Sequence, residues 1–374
     1  MKKAKGIIFL RFMIASFIVL FLLAAVGGKS AQAGSQVKLV GPAGSGYFGS
    51  SVVALSNGNI VVADPYYDDG AVQDVGAVYL YNGATRELIS TLKGSTAFDR
   101  VGYIVSALPS GNFLVRSIWW NNSGNSGAGA VTWVNGTTGL NGVVSAANSL
   151  VGSSTDDYIG NGLTILSNGN YVLYSGSWDN GGVTNVGAVT WGDGNTGISG
   201  VVSNANSLVG SVISDAVGGS VVALTNGNYV VISTYWNNGG NTDVGAVTWG
   251  DGTTGITGPV TTANSLYGST SNDQIGNFGV VALTNGNYVV QSPYWFNTTL
   301  MRTNAGAVTW GNGATGTTGA VSPGNSLIGN QVGSSVGSEV TALNNGNYVV
   351  GSWLWDNGVA TNAGAITWGN GTTG

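Results

Sequence analysis

The chain has 374 residues, 64 of them Gly, with no Cys, no His and a formal net charge of −5. Without His or Cys, Ser-His-Asp and Cys-His catalysis, His- or Cys-ligated metals and disulfide staples are all excluded. Only 7% of residues are charged, and five of the 11 Lys and Arg (Lys2, Lys3, Lys5, Arg11 and Lys29) fall in the first 33 positions. The remainder is acidic and Lys-poor, which argues against nucleic acid and anionic membranes as partners.

The first segment reads as a secretory leader. Lys2, Lys3, Lys5 and Arg11 form a basic start, Phe12 to Val26 is an apolar run, and Ala31-Gln32-Ala33 is a small-x-small site before Gly34. The run is short for a membrane span. Residues 1–33 are therefore expected to be removed, leaving 34–374 secreted, surface-exposed or periplasmic, with no membrane insertion afterwards.

From there the chain repeats. The stretch Val222-Ala223-Leu224-Thr225-Asn226-Gly227-Asn228-Tyr229-Val230-Val231 recurs six times, with its Gly at 58, 111, 169, 227, 286 and 346. Asn-Gly between apolar β-branched runs predicts a hairpin with a tight type I′ turn. A second landmark, Gly-Ala-Val-Thr-Trp, ends at Trp133, Trp191, Trp249, Trp310 and, with Ile366, at Trp368; unit one has Gly76 to Leu80 instead. A third, Asn-Ser-Leu, ends at Leu150, Leu208, Leu266 and Leu327, with Leu39 and Leu92 as diverged copies.

Each unit holds four strand candidates. In the fourth they are Ser220 to Leu224, Tyr229 to Ser233, Gly245 to Trp249, and about Val201 to Val209 leading into the unit. Four short antiparallel strands at this period predict an all-β, six-bladed β-propeller. A parallel β-solenoid is the rival, but has no use for a tight hairpin in every unit. Val37-Lys38-Leu39-Val40 reads as a fourth strand with no unit before it, and the last unit as a triplet without one. Pairing the two would close the ring and remove an open edge.

Unit one differs from the rest. Leu92 lies 12 positions after Leu80, where in other complete units the step is 17 and includes a Gly-Thr-Thr-Gly connection such as Gly136 to Gly139. Its motifs, Tyr47-Phe48-Gly49-Ser50-Ser51-Val52, Leu55 to Asn59, Ala63-Asp64-Pro65 and Gly76 to Tyr81, resemble an FG-GAP repeat, the blade of integrin-α-like propellers. The other five units resemble a diverged, Trp-rich version, similar to repeats of unknown function in bacterial surface and adhesin-like proteins. The resemblance implies a propeller over 37–374. FG-GAP hairpins often carry a calcium-binding Asp-rich loop; here Ser56-Asn57-Gly58-Asn59 and its equivalents bring no carboxylate.

No catalytic residues and no cofactor are expected. Asp99, Asp157, Asp215 and Asp273 recur before a Gly and suit backbone capping. Asp64, Asp68, Asp69 and Asp74 form an acidic run that either holds a cation or is a solvated loop. The Trp133 series reads as packing between blades. A second ladder, Trp120, Trp178, Trp236, Trp295 and Trp355, with Tyr67 in unit one, runs into Asn or Asp, as at Asp179, Asn237 and Asp356. On the face opposite the Asn-Gly turns, these rings either stack on a glycan or protein ligand or fold inward as plugs. The leading functional expectation is a non-catalytic binding module of adhesin or lectin type with an extracellular glycan or protein partner. A cell-envelope spacer is the alternative, and a carboxylate-based glycan hydrolase or lyase comes third.

Overall fold

The computed structural model describes residues 36–374, so the expected leader lies outside the described residues. These residues form short strands and turns and no helix. Gly41–Gly374 make one compact unit, distinct from the residues that precede it.

Each repeat contributes a meander. In repeat 4, Ser220–Ala223 pairs with Tyr229–Ser233, which pairs with Ala246–Gly250, which pairs with Ser265–Tyr267, all antiparallel. The fourth strand thus follows the third within one sheet. Apolar alternation splits the meander's two faces. In the second strand, Tyr229 and Val231 join the cluster shared with repeat 3, and Val230 joins the one shared with repeat 5.

The expected turn type is corrected. Only the Gly has positive φ, between 84° and 92° in the six copies, and the preceding Asn does not. Leu224 N–H donates to Asn228 O and Gly227 N–H to Leu224 O. The loop is therefore three residues, a type I turn closed by a left-handed Gly, not a two-residue type I′ turn. Asn226 Oδ1 accepts from Asn228 N–H at 3.1 Å, which holds Asn226 in ordinary backbone space and explains why it need not adopt positive φ.

The strand expected over Val201 to Val209 is in fact two. Leu208–Val209 is the fourth strand of sheet 3, while Gly200–Val201 crosses to sheet 2 and pairs there in parallel with Ser149–Val151. Equivalent two-residue handover strands, Gly142–Val143, Gly258–Pro259 and Gly319–Ala320, each extend the preceding sheet. Sheets 1 to 4 consequently have five strands, sheet 5 has four and sheet 6 has three. The sheets are not uniformly four-stranded.

The expected ring closure is absent. Five clusters join sheets 1 to 2, 2 to 3, 3 to 4, 4 to 5 and 5 to 6. Among the described residues no cluster or strand pairing joins sheet 6 to sheet 1, and residues 36–40 form no strand. One reason is local. The handover strand lies in the connection that repeat 1 lacks: a short turn from Asn82 to Glu87 replaces it, with Arg86 N–H donating to Asn82 O. Repeat 1 therefore has no handover strand among the described residues.

At every junction one Gly carbonyl gathers side-chain donors from the previous repeat. Gly313 O accepts from Asn226 Nδ2 at 2.7 Å, Asn228 Nδ2 at 2.9 Å and Trp249 Nε1 at 2.9 Å. Gly252 O takes the same three from Asn168, Asn170 and Trp191, and Gly371 O from Asn285, Asn287 and Trp310. Ser110, Asn112 and Trp133 converge on Gly194 O. Asn57 and Asn59 bind Gly136 O, with Leu80 in the Trp position. The first Trp ladder and the hairpin Asn residues are thus one clamp, repeated along the array.

Candidate binding groove on the loop face

The second Trp ladder is buried. Trp120, Trp178, Trp236 and Trp295 are between 2% and 6% exposed, and each joins a cluster between repeats. Trp355, in the last repeat, is half-buried. These four buried rings plug the sheets, the inward of the two placements expected for the ladder. An indole offers over 150 Å² of apolar surface, so at a position flanked by two packed sheets burial wins over display.

The polar neighbours in the ladder are committed to loop structure. Asp179 Oδ1 accepts from Asn185 N–H at 2.7 Å, Asn237 Oδ1 from Asp243 N–H at 3.0 Å and Asp356 Oδ1 from Asn362 N–H at 2.6 Å. Each closes its own loop.

The recurring Asp residues link two loops. Asp157 Oδ2 accepts from Ser153 and Ser154 N–H, both at 2.8 Å, and its Oδ1 accepts from Asp179 N–H at 2.9 Å. Asp99, Asp215 and Asp273 repeat the pattern. All four are at most 1% exposed. Burial holds the carboxyls of Asp99, Asp157 and Asp273 above the usual carboxylate range, against the pull of these donors. The folded chain then retains protons that the unfolded chain loses near pH 3.9, so their contribution is largest below that value and declines as pH rises through the folded value. Accordingly, denaturant midpoints measured from about pH 4 to pH 7 should show the wild type losing ground, with rising pH, against Asp157→Asn. A constant gap would contradict the burial effect.

The acidic run of repeat 1 does not converge. Asp64 is buried and accepts from Tyr47 N–H at 2.8 Å, Asp68 accepts from Asp74 N–H at 2.8 Å, and Asp69 pairs with Lys93. Among the described residues no group of three or more Asp, Glu, His or Cys is placed to share an ion.

The residues that do gather at an open site sit one step before the ladder. Tyr235 and Tyr294 precede Trp236 and Trp295, and are 52% and 42% exposed. With Phe278, 47% exposed, they border a groove of about 410 Å³ between repeats 4 and 5. Phe278 meets Tyr294 edge-on, centroids 5.8 Å apart at 80°. Gln274 and Asn277 supply amides, and no charged residue lines the groove. Asn277 Oδ1 is buried and has no hydrogen-bond partner among the described residues, an acceptor left for a donor that enters the groove. Two further aromatic pairs, Tyr47 with Tyr66 at 5.1 Å and Trp119 with Tyr158 at 5.4 Å, join the ring before the ladder position to a residue at the place of Gln274. The sequence signal was present but overshadowed: the ring that faces outward immediately precedes the recurring one, as alternation demands.

The architecture is that of an all-β tandem-repeat protein whose six units stack in chain order. The family model described as a repeat of unknown function (DUF5650) matches residues 54–103, 107–161, 165–219, 223–277, 282–338 and 342–374. The chain belongs to that family. No curated protein matches it.

Proposed function

We propose that this protein is a secreted or surface-exposed, non-catalytic binding module of adhesin or lectin type, with its six sheets acting as FG-GAP-like propeller blades in an open array. The ligand is a neutral glycan segment seated between repeats 4 and 5. The observation carrying this reading is the groove bordered by exposed Tyr235, Phe278 and Tyr294 and served by Gln274 and Asn277. Rings stack on the apolar faces of sugars while amides bond their hydroxyls, and the lack of charge favours an uncharged ligand over a phosphate or a basic peptide. The groove lies on the face opposite the Asn-Gly turns and is lined by rings other than those of the ladder.

A carboxylate-based enzyme is disfavoured by the way the buried Asp residues are used. The four recurring ones, Asp99, Asp157, Asp215 and Asp273, stand singly in four of the six repeats with both carboxylate oxygens taken by backbone donors, and none lines the groove. The envelope-spacer reading draws on the regular junction clamps and requires no ligand. A glycan array probed with the wild type, Tyr235→Ala and Phe278→Ala separates the two. Each variant is expected to lose about 2- to 12-fold in affinity, the worth of one stacked ring, while keeping its unfolding midpoint. Absence of glycan binding, or binding indifferent to both changes, would favour the spacer.

A further inference from the structure

The dipeptide Asn-Gly occurs 14 times in the chain, and the fold holds it in two opposite chemical situations. At the hairpin turns it is tied down. Gly169, Gly227 and Gly286 N–H donate to Leu166, Leu224 and Leu283 O. The Asn before each is held at both ends of its amide. Asn168, Asn226 and Asn285 Nδ2 donate to the junction carbonyls of Gly252, Gly313 and Gly371, and their Oδ1 atoms accept from Asn170, Asn228 and Asn287 N–H. These turns are also packed: a Cβ at Gly227 would lie 3.4 Å from Asn168, and one at Gly286 3.0 Å from Asn226. The connection turns are held in a related way. Gly136 and Gly313 N–H donate to Asn112 and Asn287 Oδ1, while Asn135 and Asn312 Oδ1 close their own turns.

The loops between the second and third strands of repeats 3 and 4 are different. Each ends in a two-residue hairpin, Asn180-Gly181-Gly182-Val183 and Asn238-Gly239-Gly240-Asn241, closed by a pair of main-chain bonds between its first and last residues. In such a turn the N–H of the second residue lies outside the closing bonds, and among the described residues neither Gly181 nor Gly239 N–H finds an acceptor. Both Gly residues have left-handed φ, 60° and 61°, which accounts for Gly at this place. At the matching loop position in repeats 2 and 5, Asn122 and Asn297 Nδ2 donate to Gly152 and Gly329 O, and neither precedes a Gly. The Asn180 and Asn238 amides make no such bond among the described residues. A Cβ at Gly181, Gly182, Gly239 or Gly240 would meet nothing within 4 Å, so no packing holds either turn in place.

We infer that Asn180 and Asn238 are sites of spontaneous deamidation, with water as the only co-reactant. The Gly nitrogen, deprotonated by solvent base, is the nucleophile. It bonds to the Asn Cγ, the Cγ–Nδ2 bond breaks, and Nδ2 takes up a proton and leaves as ammonia. The product is a cyclic imide. Water opens the ring at either carbonyl, giving Asp or the isomer whose main chain runs through the side-chain carboxyl; no oxidation or reduction is involved. The reaction needs a free Gly N–H, an untethered amide and a turn able to adjust. The two loops offer all three, and the hairpin turns withhold all three.

Each conversion exchanges an amide for a carboxylate at a loop tip. Asn238 follows Tyr235 by three positions, so the new charge arrives on the loop that carries one ring of the uncharged groove. The junction amides are spared. The array therefore ages at its loop tips and keeps its clamps.

The test is peptide mapping by mass spectrometry of the full chain, expressed from Met1, during incubation in mildly alkaline water enriched in heavy oxygen. Asn180 and Asn238 should convert at least about tenfold faster than Asn168, Asn226 and Asn285, the rate equivalent of one hydrogen bond that must first break. Each product should carry one solvent oxygen. In denaturant the rates at all five should converge, because each is then the same dipeptide in an open chain. The double variant Asn180→Gln/Asn238→Gln should lose both fast conversions and keep its unfolding midpoint. Equal rates at Asn180 and Asn226 in the folded chain would overturn the inference. So would a difference that persists in denaturant, or conversion at Asn180 and Asn238 that occurs only there.

Discussion

Replacing Trp295 by Ala is expected to destabilise the protein by about 3–5 kcal/mol, the cost of truncating a large ring in a core that cannot collapse around the void. Trp295 is 2% exposed and packs in the cluster that joins repeats 4 and 5, together with Leu224, Tyr288 and Val290. Its backbone also anchors the long loop of repeat 5, since Gly306 N–H donates to Trp295 O at 3.1 Å. The indole N–H itself has no acceptor among the described residues. Trp295→Phe therefore removes an unsatisfied donor as well as volume, and should cost much less than Trp295→Ala. Denaturant midpoints of the two variants check this order. A small loss for Trp295→Ala would mean that the ring is not a plug, and would restore the ladder as a ligand platform.

Gly313→Ala should be about as damaging, at roughly 3 kcal/mol or more, through overpacking and lost hydrogen bonds together. A Cβ on Gly313 would stand 1.7 Å from Gly286 O, a backbone atom of the hairpin turn in the same repeat. Neither side can yield, because both turns are held by their own hydrogen bonds: Gly286 N–H to Leu283 O, and Gly316 N–H to Asn312 O. The loop must lift, and its carbonyl then leaves Asn226, Asn228 and Trp249 together. Gly252 and Gly371 stand in the same relation to Gly227 O and Gly346 O, at 1.7 Å and 1.6 Å, so their Ala variants should behave alike. Gly182→Ala is the control. That residue has open space around its Cβ position and no positive φ, and the change should fall within about 0.5 kcal/mol of neutral. Differential scanning calorimetry of the four variants would settle the comparison, and equal midpoints for Gly313→Ala and Gly182→Ala would refute the clamp.

The two predictions concern the same economy of parts. The hairpin stretch supplies Asn donors, the third strand supplies a Trp donor, and the Gly of the next connection supplies one carbonyl for all three. Each motif that recurs in the sequence recurs because it is one component of a junction. This also accounts for the composition. A backbone that must approach another backbone to within van der Waals contact needs Gly there, and side chains that cross a junction to a neutral carbonyl need amides in place of charges.

The sequence by itself determined the number of repeats, the meander in each, the packing of Trp133, Trp191, Trp249 and Trp310 at the junctions and the structural use of Asp99, Asp157, Asp215 and Asp273. All of these rest on local pattern: alternation, turn chemistry and fixed spacing. It could not decide the direction of Trp236 against Tyr235, because adjacent residues in a loop both match an aromatic motif and only the packing of two sheets selects which is covered. It placed Val201 to Val209 in one strand, since nothing local shows that Gly200–Val201 leaves for the previous sheet. It also expected a closed ring. Closure depends on the sum of the angles between successive sheets, which the five clusters and the handover strands set and which a repeat period does not encode. Only the tertiary structure decided that the array is open among the described residues and that exposed rings gather between repeats 4 and 5.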